Sequence, residues 1–328
     1  MANLTATKER GKWNKLGREV ATRYSLIVIW ILMTVVLMSM VPGEVNPIAA
    51  LRAVLGQQTP VIFLGLGVVI TMAVGEFDLS FAGIFGISAV ALPSLVVLYG
   101  WSFPAAVAGA LGLALLCGII NSWLIVKVGI SSVVVTLGVS SVAGGVGYWL
   151  SKETTVSGLD PNLANFTVGT FLDLPYLFWY GLVLSLIVGY IMSFTPLGRN
   201  MLFVGSNRAV ASLAGISVAR IRTGAYLASS LLAGASGVIL AIGLGGYNPS
   251  TAATNLMPTF AAVFLGTVAI VPGRFNPLGM LIAAYFLLTG VFGLQLLGLS
   301  GWVTQVFYGV ALVTAVTVST LLQRKIKS

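Results

Sequence analysis

The seven longest stretches of this sequence without Asp, Glu, Lys or Arg are residues 24–43, 53–75, 79–126, 128–151, 174–198, 223–273 and 275–323. A helix needs about 20 mainly apolar residues to cross a bilayer. By that measure the stretches hold one, one, two, one, one, two and two crossings, ten in all. The chain is 58% hydrophobic and only 8% charged, with a mean hydropathy of +1.02. Soluble domains are about a quarter charged, so this chain cannot cover a water-soluble surface. The expected fold is an all-α polytopic membrane protein of about ten helices.

The missing residues narrow the chemistry. There is no histidine, and Cys117 is the one cysteine, beside Leu116 and Gly118 in an apolar run. A lone cysteine in that setting packs as a small apolar residue. Disulfides, thiolate or histidine metal sites and histidine acid–base catalysis are excluded. Of the seven lysines, only Lys12 follows a glycine, Gly11, and Trp13 stands where a phosphate loop needs Ser or Thr. The chain carries no cofactor site of its own, and any ATP spent is hydrolysed by another chain.

The net charge of +9 is explained by topology without nucleic acid. Counting crossings from the start, fifteen basic residues fall on one side: six between Lys8 and Arg23, then Lys127, Arg199, Arg208, Arg220, Arg222, Arg274, Arg324, Lys325 and Lys327. Only Arg52 and Lys152 fall on the other. This asymmetry places both termini in the cytoplasm. The leading segment is too long and lacks the small-residue site of a cleaved signal peptide, so the first apolar run is read as a retained crossing. The expected organisation is a basic cytoplasmic segment 1–23, a single transmembrane domain 24–322, and a basic tail 323–328.

The crossings are expected near 24–42, 58–75, 79–98, 104–126, 131–150, 175–194, 223–244, 256–271, 277–297 and 302–322. Pro47 to Leu51 reads as a short interfacial helix in the first outer segment. Residues 151–174 form the longest outer loop, and 195–222 the longest inner one. In the latter, Asn207 caps a stretch of helix formers from Arg208 to Ala214, and Gly215 stops it. The 39 glycines exceed the ordinary share of about 7% and allow close helix approach in lipid. The second to fifth and seventh to tenth crossings start in opposite directions, as inverted repeats would.

Glu76 and Asp78, in Gly75-Glu76-Phe77-Asp78-Leu79-Ser80, are the only acids bordering apolar runs on the inner side. Carboxylates near membrane depth are costly and are usually paired, in an aqueous cavity or at the interface. The alternative is an ordinary inner turn in which Asp78 caps the third crossing. No crossing carries a charge in its middle, which disfavours a proton relay. The uncharged groups Asn121, Ser122, Ser131, Ser132, Thr136, Ser140, Ser141, Gln295 and Gln305 would suit a wet conduit for a polar neutral solute.

Several segments together resemble the permeases of ribose-type ABC importers, the carbohydrate-uptake family. The segment at 75–80 is similar to that family's Gly-Gly-Ile-Asp-Leu-Ser, with Glu76 and Phe77 in place of Gly and Ile. Gly118-Ile119-Ile120-Asn121 with Leu124-Ile125-Val126 resembles its Gly-x-x-Asn-Gly-x-Leu-Ile, with Ser122 for Gly, and Thr136-Leu137-Gly138 matches its Thr-Leu-Gly. The inner loop keeps its spacing at Gly198-Arg199, Gly205, Asn207, Ala211, Gly215-Ile216 and Val218. Gly293 to Gly298, Gln305 and Gly309 fit its last two crossings. Residues 266–274 depart from its Ser- and Gly-rich stretch.

The resemblance spans roughly 25–322 and implies a ten-helix, type II importer arrangement in the cytoplasmic (inner) membrane. It implies no enzyme activity in this chain. The implied partners are ATP-binding cassette ATPase subunits carrying ATP and Mg, an extracytoplasmic solute-binding protein, and a second permease chain, identical or related. Arg199, Gly205, Asn207, Arg208, Ala211 and Gly215 are then the expected coupling residues, with the small faces of Ala209, Ala211 and Ala214 suited to a groove. Asp78, Ser80, Asn121, Thr136 and Gln295 are the expected pathway or gate residues. The implied solute is a sugar, polyol or nucleoside. The alternatives are a secondary transporter of a small polar solute and, lacking any nucleophile–base set, an intramembrane enzyme.

Overall fold

The computed structural model describes residues 23–40, 47–57, 59–299 and 301–327. The expected basic segment, save Arg23, lies outside them, as do residues 41–42 and 58 of the first two expected crossings and Ser328 of the tail. Described are α1 (Arg23–Met40), α2 (Pro47–Gln57), α3 (Thr59–Ala73), α4 (Phe81–Pro93), α5 (Phe103–Ser122), α6 (Ser132–Leu150), α7 (Asn165–Val168), α8 (Tyr176–Phe194), α9 (Pro196–Ser206), α10 (Arg208–Leu213), α11 (Val218–Leu244), α12 (Leu256–Gly266), α13 (Pro277–Leu296) and α14 (Gly301–Lys327). Helices α4 and α5 end in widened π-helical turns, Ser94–Leu98 and Trp123–Val128.

Eight of these helices are long and apolar enough to cross a membrane. Helices α3 and α12 are apolar but shorter, at 15 and 11 residues. Each of the ten lies within or overlaps one of the stretches expected from the sequence. The strands are two-residue pairs: β1 (Val156–Ser157) with β4 (Gly246–Tyr247), and β2 (Thr170–Phe171) with β3 (Leu174–Pro175).

The first pair and an exposed Arg52–Asp173 ion pair of 3.2 Å tie down the long loop after α6. A pair that open to water adds little stability.

The enclosed centre is α3, α4 and α11, with α13 also well covered, whereas α1 and α14 are mostly exposed. Exposed apolar side chains such as Val35, Val142, Phe194 and Val313 are what lipid-facing helices present. Glycines set the closeness of the centre. A Cβ on Gly237 of α11 would lie 2.4 Å from Phe85 O of α4, and one on Gly118 of α5 would lie 2.2 Å from Ser230 Oγ. Without an apolar solvent penalty to drive helices together, such backbone approach supplies the contact. Helix α4 packs on α5, α6 and α11, and α12 packs on α13, α14 and α3.

Candidate functional site

The turn between α3 and α4 is built from its first glycine. Gly75 takes φ +75°, donates to Met72 O at 3.1 Å, and Glu76 N donates to Thr71 O at 3.0 Å. This pair of bonds closes a helix with a left-handed residue, and it turns Glu76 back across the end of the bundle. Its carboxylate is 3% exposed and is gripped from two helices. Arg208 Nη2, in α10, donates to Glu76 Oε1 at 2.8 Å and to Gly75 O at 2.8 Å. Arg222 Nε, in α11, donates to the same Oε1 at 2.5 Å, and Tyr226 Oη to Oε2 at 3.1 Å. A buried carboxylate needs this degree of pairing to persist.

Two residues on, Asp78 is fully enclosed. Its Oδ1 accepts from Ser80 N at 2.8 Å and from Ser80 Oγ at 2.6 Å, and its Oδ2 accepts from Ser229 Oγ of α11 at 2.8 Å. Burial pushes the carboxyl above the ordinary carboxylate range, and the hydrogen bonds from Ser80 and Ser229 oppose that rise. Ser80 is the cap residue of α4 but makes no capping bond with its own side chain. Asp78 holds that end of the helix instead, through Ser80 N. The Ser80 hydroxyl accepts from Asn121 Nδ2 of α5 at 2.7 Å, and Leu79 N donates to Thr136 Oγ1 of α6 at 3.1 Å. Phe77 stacks on Phe260 of α12 with ring centroids 5.2 Å apart. Asn121 Oδ1 is buried and has no donor among the described residues.

The structure therefore brings together four expected gate residues, Asp78, Ser80, Asn121 and Thr136, in one network. Gln295 is not part of it: it is exposed near the end of α13, its Nε2 3.4 Å from Thr304 Oγ1. Beside the network a hollow of about 390 Å³ opens among Glu76, Ser131, Ser132, Arg208 and Arg222.

Of the expected coupling residues, Asn207 caps α10 by accepting from Val210 N at 3.1 Å. Gly215, at φ +79°, and Ile216 end it with bonds to Ser212 O and Ala211 O. Gly205 abuts the turn so closely that a Cβ would lie 2.2 Å from Ala73 O. Arg199 is exposed in the first turn of α9. Ala211 is 0% exposed, because the short helix packs that side onto its own chain. Its outward side carries Ala209, Val210, Leu213 and Ala214, with Leu213 89% exposed.

Sequence reasoning missed Arg222, Tyr226 and Ser229. Their spacing of four and three places them on one face of α11, so a polar stripe entering an apolar helix was the available signal. It also missed Asn276, which caps α13 by accepting from Gly279 N at 2.6 Å and donates to Gly266 O, Ala269 O and Arg274 O, each at 3.1 Å. That one side chain organises the stretch 266–274. Among the described residues no cluster of His, Cys, Asp or Glu is placed to hold a metal.

An apolar bundle whose buried carboxylates, among the described residues, share one turn gripped by a surface helix has the build of a multi-pass membrane transport subunit. The family model described as branched-chain amino acid transport system / permease component matches residues 50–316, and the chain belongs to that family. It is 30% identical to the probable ABC transporter permease protein y4mJ of Sinorhizobium fredii, over 79% of this chain and 78% of that one. It is 26% identical to the L-arabinose ABC transporter permease protein AraH of Azospirillum brasilense, over 83% and 78%. It is 30% identical to the autoinducer 2 import system permease protein LsrD of Salmonella typhi, over 77% and 80%. The chain is an integral membrane permease of an ABC transporter, not an enzyme.

Proposed function

We propose that this chain is the membrane-spanning half of an importer for a small carbohydrate-like solute. It crosses the membrane ten times, with both termini and the loop 195–222 in the cytoplasm, the short α3 and α12 being crossings enclosed by longer neighbours. ATP is bound and hydrolysed by separate cassette subunits docked on α9 and α10. An extracytoplasmic binding protein delivers the solute, and a second permease chain, identical or related, completes the conduit. Arg199, Gly205, Asn207, Arg208 and Gly215 shape the coupling loop, with Ala211 seating α10 on its own chain. Asp78, Ser80, Asn121 and Thr136 form the inner gate.

The observation that carries this reading is the continuity from loop to gate. Arg208 of α10 bonds the same seven-residue turn whose later residues bond α5, α6 and α11. The buried unpartnered Asn121 Oδ1 would accept from a hydroxylated solute. The relatives named for L-arabinose and autoinducer 2 support the substrate class. The test is reconstitution in proteoliposomes with a cassette ATPase and a solute-binding protein that co-purify with it. ATP-dependent uptake of a labelled pentose, hexose, polyol or nucleoside is expected. Uptake of leucine, isoleucine or valine alone would overturn the substrate class, and uptake without ATP would overturn the importer reading.

A further inference from the structure

We infer that Glu76 is the positioning residue through which the docking helix drives the gate, so that α10 and the α3–α4 turn move as one body during transport. The inference rests on the permease reading above and assigns a mechanical role to a residue that reading leaves unused. Three observations carry it. Glu76 Oε1 takes both Arg208 of α10 and Arg222 at the head of α11, and Oε2 takes Tyr226. Gly205 and Gly75 meet backbone to backbone, a Cβ on Gly75 falling 3.4 Å from Gly205 Cα, so the end of α9 bears directly on the same turn. The residues that follow, 78–80, reach Ser229, Thr136 and Asn121, with only Phe77, stacked on Phe260, between them and Glu76.

The physical consequence is a choice between two motions. If α10 moved away from the turn, it would take one of two arginines from a carboxylate that is 3% exposed, leaving only Arg222 and Tyr226 to hold it, and losing one partner of a buried ion pair is unfavourable. If α10 carries the turn with it, the ion pairs stay intact and the displacement is delivered to Asp78 and Ser80. Arg208 is the tether suited to this, because its side chain is 45% exposed and sits on the helix that a cassette subunit would reach. Arg222, 13% exposed, together with Tyr226, fixes the other side of the carboxylate to α11. A purely structural ion cluster would stabilise the chain without requiring that α10 and the turn stay together through the cycle.

The test replaces the ion pair by a removable covalent tether. Cys117→Ala removes the native thiol, and Glu76→Cys with Arg208→Cys places one on each side. The complex with cassette and binding proteins is reconstituted and treated with a short reducible bis-thiosulfonate. Untethered, uptake is expected to fall about ten-fold, within the usual span of coupling between sites. Tethered, it should recover to within about three-fold of the Cys117→Ala parent, and reduction should abolish the recovery. A wild-type rate without the tether overturns the inference, as does a complex that crosslinks and assembles yet stays inactive. If the double variant does not assemble, Glu76→Gln serves, since it keeps the shape and loses the charge. Loss of solute-stimulated ATP hydrolysis at unchanged thermal stability supports the inference, and full stimulation overturns it. Failure of the Cys117→Ala parent itself to take up any solute with ATP would count against the permease reading instead.

Discussion

Asp78 and Ser229, 151 positions apart in sequence, share a 2.8 Å hydrogen bond that pins the α3–α4 turn to α11. Both are buried, each 1% exposed, so each depends on the other. Asp78→Ala would leave the Ser80 and Ser229 hydroxyls and the Ser80 amide without their acceptor, and orphaning a buried donor costs about 1–3 kcal/mol. Uptake should fall at least about ten-fold while the amount of permease in the membrane stays normal. Ser229→Ala should cost less, and a double-mutant cycle should show a coupling of about 0.5–3 kcal/mol. Additive effects in transport assays would mean that the bond does not link the turn to α11.

Close backbone contact makes certain glycines intolerant of a single methyl group. Gly237→Ala would drive a Cβ toward Phe85 O, and overpacking of this kind costs about 1–3 kcal/mol. Gly112, with nothing near its missing side chain, is the control and should accept Ala. Thermal unfolding of the two detergent-purified variants distinguishes them. Equal midpoints would show that α4 and α11 are less tightly apposed than described.

The outward face of α10 should carry the docking contact, whereas Ala211 should act through the permease's own fold. Leu213→Asp is expected to lower co-purification of the cassette subunit at least about ten-fold, on the scale of an interface hot spot, without lowering the permease's melting temperature. Ala211→Leu should do the reverse and destabilise the permease first. Docking that survives Leu213→Asp would place the cassette elsewhere.

Topology is tested independently of transport. Reporters at residues 1 and 328 should both be cytoplasmic, and one inserted in 151–174 should be outside, since counting ten crossings puts fifteen of seventeen basic residues on one side. Termini on opposite faces would refute ten crossings.

The sequence by itself determined the membrane character, because charge-free stretches longer than a bilayer crossing admit few other solutions. It also determined the capped α10 between Asn207 and Gly215, since capping and left-handed termination are local chemistry. Asp78 and Ser80 were legible as polar groups bordering an apolar run, and Asn121 and Thr136 as uncharged polar groups within such runs. That they meet, and that Gln295 stays apart, was decided only by how α4, α5, α6 and α11 pack. The fate of Glu76 shows the reason. Its neighbours in sequence are Gly75 and Phe77, yet its partners are Arg208, Arg222 and Tyr226, more than 130 positions away. A buried charge must be neutralised in three dimensions, and nothing local says by which residue. Ala211 gives the converse lesson: composition marked it as small, but only the tertiary contact showed which way the short helix turns it.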